Sequence, residues 1–311
     1  MATTHESEHV HGVSAGADRR WLTVALGLIV VFMGGEVIVG VVAGSLALLS
    51  DAAHMLTDAG AIVLALIAMR LAGRPARGGY TFGWKRAEIL SAQANGVSLL
   101  ILAGWLGIEA IGRLLHPPSV TGSLVLITAL VGVVVNVLAA WALGRANRSS
   151  LNIEGAFQHV VNDLYAFIAT AVAGVVIVVT GFARADAIAS LVVVGLMVKA
   201  GVGLVRSSGR IFLEAAPSGV DLPALGAGLA GVEGVVEVHD LHVWEITSGE
   251  AALSAHVLVV PGGDCHAARA SIGRLLRESY RLTHSTLQVD HVGAGERHCD
   301  EAHGASYRAR V

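Results

Sequence analysis

Residues 48–69 read LLSDAAHMLTDAGAIVLALIAM, and residues 155–179 read GAFQHVVNDLYAFIATAVAGVVIVV. Each stretch is apolar over the length a helix needs to cross roughly 30 Å of hydrocarbon at ~1.5 Å per residue. Each carries one histidine and, four residues on, one aspartate: His54 and Asp58 in the first, His159 and Asp163 in the second. Positions i and i+4 share one face of a helix. An aspartate at membrane depth costs about 2.5–3.5 kcal/mol on insertion scales. One such pair could be a helix-surface ion pair, and one intramembrane histidine could simply pack. Two pairs with the same spacing, in different spans, call for a compensating charge. Brought together they offer two nitrogens and two carboxylates, a set that suits a divalent cation and zinc in particular.

Working outward, the composition agrees with membrane spans. The chain has 311 residues, 54% hydrophobic and only 14% charged, against about 25% charged in a soluble domain. The charge is segregated: residues 21–205 are poor in it, while the C-terminal third reads as an ordinary soluble domain. A net charge of −3 gives no electrostatic case for a nucleic-acid partner. Cys265 and Cys299 are too few for a disulfide framework.

Residues 1–20 form a polar tail, expected to be disordered, whose His5, His9 and His11 either collect metal loosely or are merely solvated. Residues 21–208 hold six apolar segments, at about 21–44, 48–70, 87–115, 121–144, 154–181 and 186–206. The basic residues orient them. Arg19, Arg20, Arg70, Arg74, Arg77, Lys85, Arg86, Arg145, Arg148, Arg206 and Arg210 fall on one side, and Arg113 and Arg184 on the other. By the positive-inside rule both termini are cytoplasmic. The two His/Asp spans are the middle spans of two successive groups of three. That suggests a 3+3 inverted duplication, an arrangement that recurs in secondary transporters with a midplane site.

Residues 209–292 read as a second domain: a helix over 221–231, strands over 235–246 and 251–260, a helix over 264–281 and a strand over 284–292. The order αββαβ predicts a small α+β ferredoxin-like domain. Its strands carry His239, His242, His256, His284, Asp290 and His291. Surface strands carry histidine routinely, so these are either solvated or a second zinc site from His239, His256 and Asp290, with His284 beside it. His239 and His242 are three apart, which on a regular strand turns them to opposite faces. Residues 293–311 are a polar tail with His298, Cys299 and His303.

Glu36, Asn95, Glu109, Asn136 and Asp186 are the other polar residues of the spans, expected to satisfy one another or to line an aqueous path. Asp51 is placed to cap the second span. Metal binding to His and Asp must displace their protons. A site that holds either a divalent ion or protons is the minimal device for antiport.

Four stretches carry a family resemblance: SLALLSDAAHMLTDAGAIV (45–63), YTFGWKRAEILSAQANG (80–96), EGAFQHVVNDLYAFIATAVAGVVIV (154–178) and VHDLHVWEITSG (238–249). In these motifs, in this order, the chain resembles the cation diffusion facilitators, over residues 20–292. It looks most like their zinc-transporting branch of the bacterial heavy-metal efflux type. The resemblance implies a homodimer in the lipid bilayer, with six spans and a cytoplasmic ferredoxin-like domain per subunit. It implies Zn²⁺ export by alternating access, with H⁺ moving the other way, at His54, Asp58, His159 and Asp163. Zinc would also bind the cytoplasmic domain, at His239, His256 and Asp290 with His284. A histidine as first ligand of span 2 resembles zinc-selective members, whereas aspartate there resembles cadmium-tolerant ones. Two departures stand out. The span 2–3 loop RLAGRPARGGYTFGWKRAE lacks the His and Asp of a further family metal site, and GRANRSSLN between spans 4 and 5 lacks a His-rich loop. The expectation is a secondary active transporter, not an enzyme, in a bacterial cell membrane. Other readings are efflux of Co²⁺ or Cd²⁺, and a membrane metal sensor or zinc-binding subunit that moves nothing. A metallohydrolase finds no HExxH motif.

Overall fold

The structure, a computed structural model, describes residues 15–43, 46–116, 122–148, 150–182, 184–293 and 304–309. The expected metal-collecting residues of the two tails, His5, His9, His11, His298, Cys299 and His303, lie outside the described residues. Two compact units divide the chain, Met1–Ser208 and Gly209–Val311.

The first unit is six long helices: α1 (Ala15–Ala43), α2 (Leu46–Ala72), α3 (Ala87–Leu115), α4 (Gly122–Leu143), α5 (Leu151–Thr180) and α6 (Ala185–Phe212). Over their described residues, α3 to α6 are each long and apolar enough to cross a membrane. A helix suits that solvent because it satisfies its backbone groups internally. Large apolar side chains face outward, with Val31 and Ile108 76% exposed and Trp105 69%. An apolar surface of that kind needs lipid, not water, around it.

Inside, small residues set the spacing. One core joins Leu22, Ala25 and Ile29 of α1 to Met55, Ala59 and Ile62 of α2, Ala139 and Ala142 of α4, and Ile153, Ala156 and Val160 of α5. A second joins Leu99 and Ala103 of α3 to Val193, Met197 and Leu204 of α6. Here Gly201 approaches α3 so closely that a Cβ would lie 2.8 Å from Leu100 Cγ and 3.0 Å from the Gly96 carbonyl. Close backbone approach through small residues is how helices associate where lipid removes the hydrophobic drive.

The second unit holds α7 (Leu222–Ala230), β1 (Val235–Thr247), β2 (Glu250–Val259), α8 (Cys265–Tyr280), β3 (His284–His291) and β4 (Tyr307–Arg308). Asp221 caps α7 by accepting from the Ala224 amide, and Asp264 caps α8 by accepting from the amides of His266 and Ala267. The sheet order is β3-β2-β1-β4, with β2–β3 parallel and the other pairs antiparallel. Leu225 and Leu229 of α7 and Ile272 and Leu276 of α8 pack with Val238, Val243, Leu253 and Val257 of the strands. This is the expected αββαβ domain with one addition. The C-terminal segment read as a plain tail contributes β4, where Tyr307 pairs with Val238 and Arg308 with Glu237.

Candidate metal centre

Helices α2 and α5 pack side by side, and the residues that fix this are small or amide-bearing. The Asn152 amide of α5 donates to the Ala65 carbonyl of α2 at 3.0 Å. At Gly155 of α5 a Cβ would lie 3.4 Å from Asn95 Nδ2 of α3, so the glycine admits that amide against the helix. With the helices so placed, one turn of α5 presents His159 and Asp163 to Asp58 of α2.

The three meet. His159 Nε2 lies 2.5 Å from Asp58 Oδ1. One ligand atom each from Asp58, His159 and Asp163 fall within 4.8 Å of one another. Asp58 and His159 are both 3% exposed. Among the described residues no other group of three or more His, Cys, Asp or Glu converges as tightly. His54 sits on α2 one turn before Asp58; its side chain lies outside the described residues.

The surroundings are polar and incompletely satisfied. His159 Nδ1, Asn162 Nδ2, Asn95 Nδ2 and Ser91 Oγ are buried and lack hydrogen-bond partners. Orphaned buried polar atoms cost about 1–3 kcal/mol each. Asn162 and Ser91 were not singled out by sequence reasoning. The signal was there, since both interrupt apolar spans beside a motif already noted. Asn136 and Glu109 satisfy themselves locally instead of pairing with one another, whereas Ser208 of α6 donates across to Gln93 of α3. Asn136 donates to the Gly132 carbonyl at 3.0 Å, and Glu109 accepts from Arg113 one turn on at 2.5 Å. The side chains of Glu36, Asp51 and Asp186 lie outside the described residues.

In the second unit His239, His242, His256 and His284 lie on the sheet face opposite α7 and α8, whereas His291 turns to the helix side, its Nε2 2.8 Å from the Gly263 carbonyl oxygen and 3.5 Å from Cys265 Sγ at the start of α8. His239 pairs with His256 across β1–β2, and their rings meet edge to face at 5.4 Å. The expectation that His239 and His242 point to opposite faces is overturned. His239 opposes His256 and His242 opposes Ser254, so three steps on β1 match two on β2. A β-bulge absorbs the extra residue and turns both histidines to the same face. Asp240 makes the bulge, with φ of 53°, a conformation aspartate tolerates better than most residues. Its carboxylate then lies 2.9 Å from His242 Nε2 and 3.9 Å from His256 Nε2. Sequence reasoning missed Asp240 because strict alternation hid the bulge.

On β3, His256 opposes Gln288, so Asp290 lies on the same face one pleat further on. His284 does not join. It opposes Ala252 while Asp290 opposes Leu258, six residues along the strand or about 20 Å at ~3.3 Å per residue. One ion cannot take both within a subunit.

A membrane unit with a buried carboxylate–histidine cluster, followed by a ligand-bearing αββαβ domain, defines the architecture of a metal-handling membrane protein. Comparison with known proteins makes this specific. Residues 22–213 match the cation efflux transmembrane domain, and residues 217–292 match the cation efflux protein cytoplasmic domain. The chain belongs to the cation efflux family. It is 36% identical to a cadmium, cobalt and zinc/H(+)-K(+) antiporter of Bacillus subtilis, over 90% of this chain and 91% of that one. It is 35% identical to the metal cation efflux system protein CzcD of Cupriavidus metallidurans, over 93% and 90%. It is 33% identical to the zinc transporter ZitB of Escherichia coli, over 94% and 93%. The protein is therefore an integral membrane metal-cation efflux transporter.

Proposed function

We propose that this transporter exports Zn²⁺ from the cytoplasm in exchange for H⁺, by alternating access at a site formed by His54, Asp58, His159 and Asp163. The observation that carries the reading is the convergence of Asp58 with His159 and Asp163 at the α2–α5 contact. His54, a helical turn from Asp58, completes two nitrogens and two carboxylates. Two carboxylates balance a divalent charge, and a four-ligand nitrogen–oxygen set suits Zn²⁺ better than Mg²⁺ or Ca²⁺, which take six or more oxygens. The same groups that would hold the metal can hold protons, as the His159–Asp58 hydrogen bond illustrates. Metal entry displaces them, which couples the two fluxes.

The basic loops support an orientation with both termini in the cytoplasm, and the bacterial relatives support a bacterial cell membrane. The match to the cytoplasmic domain, and relatives named for zinc, support a homodimer whose C-terminal domains bind Zn²⁺ near His239, His256 and Asp290. Those three share one sheet face; His284 stands apart.

Proteoliposomes test the reading. Zinc uptake against an imposed pH gradient is expected for wild type, with Asp163→Ala lowering it by about 100-fold, since loss even of outer-shell metal partners costs 10–100-fold. Wild-type flux in Asp163→Ala overturns the site. A flux indifferent to the gradient overturns the antiport and leaves transport standing. Binding without flux makes the protein a sensor or an accessory subunit.

A further inference from the structure

The connection between α2 and α3, residues 73–86, is an ordered element with a composition unlike the rest of the membrane unit. Its backbone is a chain of tight turns: the Tyr80 amide donates to the Arg77 carbonyl at 3.1 Å, the Gly83 amide to Tyr80 at 3.0 Å, and the Ala87 amide to Trp84 at 2.8 Å. Gly83 is required. Its φ is +70°, and a Cβ there would lie 2.9 Å from the Arg74 carbonyl. The fold-back borders a half-open cavity of about 350 Å³ lined by Arg74, Pro75, Arg77 and Trp84. No acidic residue lines it. Among the described residues neither the Arg74 nor the Arg77 guanidinium has an ion-pair partner. Beside it Tyr80 and Trp84 stack with ring centroids 4.5 Å apart, and Tyr80, Phe82 and Trp84 are 55%, 48% and 39% exposed.

We propose that this cavity is a binding site for the phosphodiester headgroup of an anionic phospholipid, held by Arg74 and Arg77 with Trp84 as its apolar wall. Three observations converge. Guanidinium groups present paired donors that fit phosphate oxygens. Exposed aromatic rings with an apolar body and a polar edge settle at the headgroup level of a bilayer. The element leads directly into α3, a helix long and apolar enough to cross a membrane, so it lies at the interface where such headgroups are. The consequence reaches the transport helices, because the site tethers the end of α2, which carries Asp58.

Native mass spectrometry of the full chain, released from nanodiscs of phosphatidylcholine doped with phosphatidylglycerol, measures the site directly. Wild type is expected to retain phosphatidylglycerol in preference to phosphatidylcholine, less so as ionic strength rises. Arg74→Gln/Arg77→Gln is expected to bind it about 30-fold more weakly, since each basic group near an anionic surface contributes about a fivefold factor. Arg74→Lys/Arg77→Lys is expected to lose less, keeping charge without the fork. Soluble glycerol phosphate and inorganic phosphate form the other arm. If either displaces the lipid at millimolar concentration the ligand is a free phosphate, and the lipid assignment is overturned. Equal retention by wild type and the Gln variant, with both showing the same melting temperature, overturns the site itself. If the Gln variant fails to fold, Trp84→Leu carries the test: weakened retention supports the site and unchanged retention overturns it.

Discussion

In the membrane unit Asp58, His159 and Asp163 close to within 4.8 Å of one another, with Asp58 and His159 3% exposed. In the C-terminal unit His239, Asp240, His242, His256 and Asp290 spread over one face of a sheet, tied by pairwise contacts, with His242 and Asp290 exposed and the other three half-buried. The two regions use the same ligand types under different physics. A buried carboxylate with a half-buried one beside it, in low dielectric, is expensive without a partner cation. An exposed histidine is nearly free. The first arrangement has one purpose that offsets its cost. The second can stay empty at little cost, and suits a site filled only when metal is abundant.

The largest expected effect separates the two regions by flux. Asp58→Ala should lower proteoliposome zinc flux by about 100-fold, as for Asp163→Ala, while His256→Ala should change it by only a few-fold. Equal losses would break the comparison and make the sheet face part of the transport path. Metal removal gives the next effect. Zinc at about 100 times its dissociation constant should stabilise the wild-type chain by ~2.7 kcal/mol over the chelated protein. Asp58→Ala should lose the share that comes from the membrane site and keep whatever the sheet contributes. A thermal-shift titration with and without EDTA reads both shares. If Asp58→Ala keeps the whole shift, zinc binds elsewhere.

Asp240 is where the sheet can be sharpened. Asp240→Asn keeps a residue that tolerates φ of 53° and removes the charge facing His242 and His256. Asp240→Val adds backbone strain of about 1–3 kcal/mol. The expected outcome is a melting temperature near wild type for Asn and clearly lower for Val, with zinc affinity of the domain reduced in both. If Val is as stable as Asn, the bulge does not hold its residue in that conformation.

Most of this was legible before any coordinates. The helices α3, α4 and α5 begin and end within about three residues of the apolar runs, because in a membrane length and hydropathy determine the element. The repeated spacing of His and Asp named the cluster on α2 and α5, because helical periodicity turns sequence distance into direction. Three things were not legible, each for a stated reason. The bulge at Asp240 breaks the two-residue period on which strand reading depends. His284 and Asp290 look close in sequence, yet a strand extends every residue between them. Tyr307–Arg308 is too short and too polar to read as a strand, and exists through its contacts with α7 and β1.

That last contact gives the smallest effect and tests the edge of the sheet. Tyr307 covers Gly226 of α7, where a Cβ would enter the ring's van der Waals shell. Arg308 adds an exposed ion pair, its Nε 3.0 Å from Glu237 Oε2, of the kind that contributes about 0–1 kcal/mol. β4 is therefore held chiefly by the ring on the glycine and by pairing with Glu237 and Val238. Gly226→Ala should push the ring away at a cost of about 1–3 kcal/mol in packing. Because β4 is a short edge strand, that cost should appear as local opening before it lowers global stability. Hydrogen exchange should quicken at Ala309, whose amide donates to the Val236 carbonyl at 3.1 Å, while β2 and β3 stay protected. Exchange unchanged at Ala309 would show that β4 is held by something other than the Tyr307–Gly226 contact. Zinc flux should be unaffected in either case, since the membrane cluster draws no ligand from this edge.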